Sequence, residues 1–437
     1  MIKKLRVVTI ILATLIISAV LFTGCQRDDR EVLRVLFYLD ASNPTAVADA
    51  NDWFGTFERN NPGVRIEREN LFDDAYHDKM RTYAAAQDMP DVMYVWPSGR
   101  SDYLHDQRLL KDLTPFINRD NLRQYYIPMT MDPSQQQSGY MAMFPQGITT
   151  THAFFINMEI LNEAGLQPAR TYAELVAQVP VLRALGYQTV LIPAESTWVM
   201  QSCLFSMVIA RFAGANWHER ILSGRASFTD SDFVSAFDFI RRLYADGVIS
   251  REAVGVGYGD GPGMFAGNRG AYYIDGDWRV GDLRLVIDPA RQQNFRVGVF
   301  PDIPGTVLNS SSSVVLGVGY AMAASIPSGS QKEHYAWELV KWLLGREVST
   351  TRTASGGTPT PSRNDLDFAA MNLEPLQVAV GNLGSQFTTA TPVIDAVLAS
   401  DVFEPINEGL IELALGRRTA AQVANDVQSA FNRWNSR

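Results

Sequence analysis

The hydrophobic positions near the start of the chain change their period several times, and each change predicts a new element. Residues 32–39 form an apolar run rich in Val, Leu and aromatic side chains, which is typical of a buried strand. Apolar positions at helical spacing over 47–57 then predict a helix. A second strand follows at 64–66, a second helix at 76–87 and a third strand at 92–96. This order predicts a parallel, doubly wound sheet and hence an α/β protein.

The same alternation of short strands and amphipathic helices continues along the chain. Residues 231–244 place their apolar side chains on one helical face, and so do residues 334–344. The glycine-rich segment 255–261 does not have the spacing of a nucleotide-binding loop, and we expect it to be a loop at the rim of a lobe. Polar stretches at 309–313 and 355–362 predict connections between structural units.

The first 25 residues have the layout of a secretory signal. Basic residues precede an uncharged apolar run at 7–22, and small residues then lead to Cys25. This ending resembles a bacterial lipobox, although Phe22 stands where Leu is usual, and it implies a lipid on Cys25 and an extracytoplasmic protein. Residues 26–30 read as a short tether. The alternative is an uncleaved N-terminal anchor.

The net charge and the number of cysteines limit which ligands and partners the protein can have. The leader carries three of the 38 Lys and Arg residues and none of the 47 Asp and Glu residues, so the mature chain has a formal charge of −12. Such an acidic chain is a poor match for nucleic acid or anionic lipid head groups. With Cys25 lipidated, Cys203 has no disulfide partner, and the five His residues lie far apart in sequence. We therefore expect no metal and no cofactor. The length of 437 residues suits two domains.

Six short motifs occur in the order in which they occur in one protein family. They are FERNNPGV (57–64), MPDV (89–92), FIN with LNEAGL (155–166), MFAGNRGA (264–271), DGDW (275–278) and AWELVKWL (336–343). Together they resemble the extracellular solute-binding proteins of family 1, the class that includes maltose-binding protein. Phe155 stands in place of the usual Tyr in the third motif. The resemblance covers essentially the whole mature chain.

This resemblance implies a two-lobed periplasmic-binding-protein-like fold, in which doubly wound sheets are joined by a multi-segment hinge. It places lobe one at 31–148 plus 312–355 and lobe two at 149–311 plus 356–437. The polar links 309–313 and 355–362, together with residues 144–147, are then the expected crossings between the lobes. Hinge closure around a ligand belongs to this architecture.

Candidate binding residues follow from the strand ends and from the resemblance. Ligands of open α/β sheets bind at the carboxyl ends of strands, and sugars require aromatic faces together with carboxylate or amide groups. The first rule selects Tyr38, Asp40, Trp96, Ser98 and Arg100, and the resemblance adds Trp198, Asp277, Trp278 and Phe403. Simpler roles remain open: a core position for Tyr38, a turn-forming hydrogen bond for Asp40, packing at a helix start for Trp198 and a solvated charge for Arg100.

The resemblance implies a binding protein rather than an enzyme. It implies the monomeric solute-binding subunit of an ABC importer, which delivers a sugar to membrane permease subunits. Several aromatic side chains in the site suit an oligosaccharide better than a single sugar. One alternative is a tethered glycoside hydrolase that uses Asp275 and Asp277, which would lie roughly 7 Å apart on one strand face. Another is a ligand sensor or surface adhesin without a role in transport.

Overall fold

The first strands lie where the hydrophobic pattern predicts them. The computed structural model describes residues 28–136 and 138–436, so the predicted signal peptide 1–25, with Cys25, lies outside the described residues. Strands β1 (Glu31–Tyr38), β2 (Val64–Leu71) and β3 (Val92–Val95) are parallel, with β1 in the middle. The predicted order of strands and helices in this part of the chain is confirmed.

The remaining elements have the following bounds. The strands are β4 Phe144–Pro145, β5 Gly147–Thr150, β6 Ala153–Asn157, β7 Gln188–Leu191, β8 Gly270–Asp275, β9 Phe295–Gly298, β10 Ser311–Leu316, β11 Gly319–Met322, β12 Thr360–Pro361 and β13 Thr389–Thr391. The α-helices span Pro44–Asn60, Asp74–Ala86, Asp102–Asp106, Thr114–Arg119, Met158–Glu163, Tyr172–Ala184, Trp198–Met200, Ser206–Ala213, Trp217–Leu222, Ser231–Ala245, Gly261–Ala266, Val280–Val286, Gln331–Leu343, Arg346–Ala354, Pro375–Gly381, Ile394–Val397, Ser400–Ala414 and Ala420–Asn435. A π-helical segment spans Gln201–Phe205, and 3-10 helices include Gly99–Ser101, Arg251–Gly255 and Asp277–Arg279.

The first lobe is built on a five-stranded sheet in the order β2-β1-β3-β11-β4. β11 runs antiparallel to both of its neighbours, so the sheet is mixed rather than purely parallel. The first helix starts where the sequence allows it: Asn43 accepts a hydrogen bond from the backbone N–H of Ala46, and Pro44 occupies the first turn. A core drawn from residues 33–144 and 316–348 holds this lobe together.

The second lobe has a four-stranded sheet in the order β7-β8-β6-β9. Neighbouring residues of its strands face opposite sides, as strand geometry requires. Phe154 and Tyr272 belong to one apolar core, whereas Phe155 and Tyr273 belong to the core on the other face. Both faces are therefore covered, which is the doubly wound arrangement. These cores draw on residues 153–303 and 376–431.

A third sheet, β12-β5-β10-β13, contains the segments that pass between the lobes. Strands β5, β10 and β12 lie in or directly beside the segments 144–147, 309–313 and 355–362, where crossings were expected. β13 pairs in parallel with β10 and follows a polar stretch near residue 385, where the hydrophobic pattern does not predict a strand. The exact lobe boundaries remain a prediction. No helix in the described part of the chain combines the length and apolar character needed to span a membrane.

Candidate functional site

A cavity of about 770 Å³ lies between the two lobes and is lined by residues of both. The carboxyl ends of β1 and β3 open onto it from the first lobe, and β5 and β10 of the third sheet also line it. This is where a binding site belongs in an open α/β sheet. Seven of the nine predicted binding residues line it, namely Tyr38, Asp40, Trp96, Ser98, Arg100, Trp198 and Trp278.

The wall on the first lobe is a packed aromatic cluster. Tyr94 and Trp96 share one face because they are two residues apart at the end of β3. The Tyr38 ring lies parallel to Tyr94 at 5.7 Å between ring centroids and meets Trp96 edge-on at 5.1 Å. His77 contacts Trp96 at 4.7 Å. Burial lowers the pKa of the His77 imidazole to about 3, so its ring is neutral and offers one donor and one acceptor. The cluster presents flat apolar surface with polar edges.

Three buried oxygens of the cavity lining have no hydrogen-bond partner among the described residues. They are Ser98 Oγ, Gln146 Oε1 and Thr358 Oγ1. Gln146 is oriented by its amide nitrogen, which donates to the Tyr94 hydroxyl over 2.9 Å. Buried polar atoms normally have partners, so unpaired ones at a cavity are free to bond to water or to a ligand.

The charged residues of the first lobe are already engaged. Asp40 Oδ1 accepts hydrogen bonds from the backbone N–H and the hydroxyl of Ser42, so the turn-forming role is present although Asp40 also lines the cavity. Arg100 donates from Nε to Asp395 Oδ2 over 2.9 Å and lies over the Trp198 ring at 5.0 Å. Arg100 is therefore paired within the protein rather than a solvated surface charge.

The wall on the second lobe consists of Trp198, Tyr258 and Trp278. Trp198 meets Tyr258 edge-on at 4.9 Å and lies 6.3 Å from Trp278, while Trp278 Nε1 donates to the Tyr258 hydroxyl over 2.7 Å. Gly276 leaves room for this position of the Trp278 ring, because a Cβ atom at residue 276 would lie 2.2 Å from the ring. Arg279 lies beneath Tyr258, with its guanidinium 3.6 Å from the ring centre.

A buried ion pair holds this wall in place. Asp275 Oδ2 accepts from Arg279 Nε over 2.8 Å and from the Tyr273 hydroxyl over 2.6 Å, and Arg279 also pairs with Asp282 over 2.7 Å. Both Asp275 and the Arg279 side chain are almost completely buried. A buried pair fixes geometry more than it adds stability, and here it fixes Tyr258 and hence Trp278.

The structure does not bring Asp277 and Phe403 to the cavity. Asp277 is buried behind the wall, where its Oδ2 accepts from the backbone N–H of Thr150 over 2.7 Å. It differs from its neighbour Trp278 because consecutive residues of this short 3-10 turn point in different directions. Phe403 packs in the core of the second lobe on the apolar face of helix Ser400–Ala414. A direct contact of either residue with ligand is not supported by this placement.

Sequence reasoning missed Phe72, Asp73, His77, Tyr94 and Tyr258, all of which line the cavity. Phe72 and Asp73 follow β2 directly, so the strand-end rule applied to that strand would have selected them. Tyr258 lies in the segment expected to be a loop at the rim. The structure places it instead as a residue 7% exposed in the wall, because Arg279 and the two Trp side chains pack around it.

Comparison with known proteins identifies the family. A model of the bacterial extracellular solute-binding proteins matches residues 41–349, which is more than half of the chain. The chain therefore belongs to this family of extracytoplasmic binding proteins. A search of curated proteins found no match.

Solved structures with the same fold confirm the two-lobed α/β architecture. A chitin oligosaccharide binding protein superimposes with a TM-score of 0.84 at 18% identity, covering 94% of this chain and 100% of that one. A maltose/maltodextrin-binding domain from Bdellovibrio bacteriovorus bound to maltotriose has a TM-score of 0.73 at 17% identity, with 93% and 100% covered. An ABC substrate-binding protein from Listeria monocytogenes in complex with cycloalternan has a TM-score of 0.71 at 15% identity, again with 93% and 100% covered.

Proposed function

We propose that this protein captures an uncharged oligosaccharide in the cavity between its lobes and delivers it to the permease of an ABC importer. The observation that carries this proposal is the pair of facing aromatic walls, with Trp96 and Tyr38 on one lobe and Trp198 and Trp278 on the other. Flat aromatic faces stack on the C–H faces of sugar rings, and the unpaired Ser98 and Gln146 oxygens can accept hydrogen bonds from hydroxyl groups.

The size and charge of the cavity define the ligand class further. Its volume of about 770 Å³ lies in the upper part of the range of ligand pockets, which favours an oligosaccharide over a single sugar ring. Both arginines that line it are paired with carboxylates, Arg100 with Asp395 and Arg279 with Asp282. An anionic ligand would have to compete with these carboxylates, so a neutral saccharide fits best.

The positions of the two candidate catalytic carboxylates argue against hydrolysis by this pair. The best carboxylate pair, Asp275 and Asp277, does not line the cavity. Asp275 is held by Arg279, and Asp277 lies behind the wall. A glycosidase needs both carboxyl groups beside the scissile bond. Incubation with oligosaccharides should therefore give stoichiometric binding without turnover.

A thermal-shift screen tests the ligand class. We would compare maltotriose, chitotriose, a xylan oligosaccharide and galactose, and include an uronic-acid oligosaccharide as the charged comparison. A ligand at a hundredfold excess over its Kd stabilises the folded state by about 2.7 kcal/mol. We expect at least one neutral oligosaccharide to raise the melting temperature and the charged one to have no effect. If no saccharide shifts the melting curve, the proposal of sugar binding is wrong.

We further propose that Cys25 carries the lipid that anchors a monomeric protein at the outer face of the membrane. The support is the basic and apolar leader that ends at Cys25, together with membership in an extracytoplasmic family. Metabolic labelling with palmitate should label the protein, and Cys25→Ser should abolish the label and release the protein into the soluble fraction. Loss of sugar uptake on deletion of the gene would connect binding to transport; normal uptake would instead favour a sensor or adhesin.

A further inference from the structure

Asp73 has an unusual conformation for a residue at the start of a helix. It precedes helix Asp74–Ala86, but its side chain makes no capping hydrogen bond to that helix. Its backbone has φ 51° and ψ −136°, a region that residues with a side chain rarely adopt. Such a conformation persists only where the surroundings hold it, and it occurs preferentially at functional sites.

The Asp73 carboxylate instead reaches across the cleft to the second lobe. Its Oδ2 accepts from Ser196 Oγ over 2.9 Å, and its Oδ1 accepts from Trp198 Nε1 over 3.2 Å. Both oxygens are therefore engaged by the lobe that carries the opposite wall of the cavity. The second contact fixes the orientation of the Trp198 ring, whose N–H would otherwise lack this partner.

Further contacts between the lobes surround this one. The Phe72 ring stacks on Tyr258 at 6.2 Å with an interplanar angle of 21°. Asn43 Nδ2 donates to Asp282 Oδ1 over 3.0 Å. Each pair joins one residue of the first lobe to one of the second, and we call these residues together with Asp73, Ser196 and Trp198 the seam. Within the seam, Asp73 is the residue that bonds to the second lobe through both side-chain oxygens.

We propose that Asp73 is a positioning residue that latches the two lobes in the closed state and aims Trp198 at the ligand. The proposal rests on the proposed function, since it assigns a role within the same site. Opening of the cleft exchanges both hydrogen bonds of the carboxylate for water. Asp73 therefore sets ligand affinity through the population of the closed state, without having to touch the ligand.

The replacement Asp73→Gly removes the side-chain hydrogen bonds across the cleft but still allows the unusual backbone conformation, so it separates these two effects. Glycine adopts positive φ without strain, so this variant should melt at the wild-type temperature or above it. It lacks the carboxylate, so we expect a more open protein, seen as a larger radius of gyration in X-ray scattering. Ser196→Ala, which removes one of the two donors, should shift the radius of gyration in the same direction by less. Asp78→Ala removes an exposed carboxylate from the same helix and should leave the radius of gyration unchanged.

Binding of the neutral oligosaccharide found in the screen gives a second readout. Asp73→Gly should raise its Kd about tenfold, given that hydrogen bonds to a carboxylate are stronger than those between neutral groups. The latch proposal is wrong if Asp73→Gly has the melting temperature, the radius of gyration and the Kd of the wild type. That result would leave the proposed function intact. If no saccharide binds the wild type, the proposed function fails, and the scattering comparison alone then decides on the latch: equal radii refute it and a larger radius supports it.

Discussion

The buried carboxyl of Asp277 should make the protein less stable as the pH rises. Burial raises the pKa of Asp277 to about 7 from an ordinary value of 3.8, although the backbone N–H groups of Thr150 and Trp278 act in the opposite direction. Its second oxygen, Oδ1, is buried without a partner among the described residues. The folded protein thus holds a proton on Asp277 in a range of pH where the unfolded chain has released it.

The sign and size follow from linkage. Since Asp277 holds a proton in the folded state but not in the unfolded state between about pH 4 and pH 7, its contribution to the free energy of unfolding falls as the pH rises through this window. Each unit of pKa difference corresponds to about 1.36 kcal/mol, so the raised pKa of Asp277 costs about 4 kcal/mol above pH 7. Asp277→Asn removes the charge and keeps a carbonyl oxygen for the Thr150 N–H. We expect it to stabilise the protein at pH 8 by up to that amount and to have little effect at pH 4.

Urea unfolding of the wild type and of Asp277→Asn at pH 4, 5, 6, 7 and 8 measures the difference between their free energies of unfolding. Groups that titrate equally in the two proteins cancel in this difference. Asp78→Asn is the matched control, since its side chain is 77% exposed and the change should give a difference that does not vary with pH. A constant difference between Asp277→Asn and the wild type, or one that is largest at pH 4, would refute the reasoning. It would mean that Asp277 is ionised and well solvated in the folded protein.

Three further predictions concern the site and the core of the second lobe. Gly276→Ala should displace the Trp278 ring and weaken oligosaccharide binding about tenfold or more, as Trp278→Ala should, while both variants stay folded by circular dichroism. Gly99→Ala should hold the lobes apart, because its Cβ would lie 2.3 Å from a carbonyl oxygen of the second lobe; titration calorimetry should show weaker binding, and Gly263→Ala, with open space around it, should bind normally. Cys203 is buried and its thiol pKa is raised by burial, so it should react with a thiol reagent only after unfolding; rapid reaction in the native protein would contradict its placement.

Much of the fold is visible in the sequence because local pattern and global topology agree in its first third. Apolar runs and helical spacing define β1, β2 and β3 and the helices between them, and parallel pairing then follows from the connections. The apolar residues before and within β11 indicate a strand near 314–321, but they do not show that it inserts between β3 and β4. The four residues of β11, Gly319–Met322, find their place only because the hinge segments return the chain to the first lobe.

The candidate site shows the same limit at the level of single residues. The strand-end rule selects Tyr38, Trp96 and Ser98 because all parallel strands of a sheet present their carboxyl ends at one edge. The side chain of Asp277 does not reach the cavity, because the direction of the side chains changes from one residue to the next within a tight turn. Tyr258 was missed for a different reason: a glycine-rich segment reads as mobile, whereas the packing of Arg279 against the ring fixes it.

The position of β11 has a consequence for how the protein is made. Residues 96–318, which include most of the second lobe, lie between β3 and the strand that completes its pairing. During synthesis or export from the amino end, the edge of β3 therefore stays open until that whole stretch has emerged, and such open edges invite pairing with other chains. Folding waits on contacts that are distant in sequence and is correspondingly slow. A chain cut near residue 310 would leave the first lobe without β11 and helix Gln331–Leu343, so the first lobe is completed only after most of the second lobe has been synthesised.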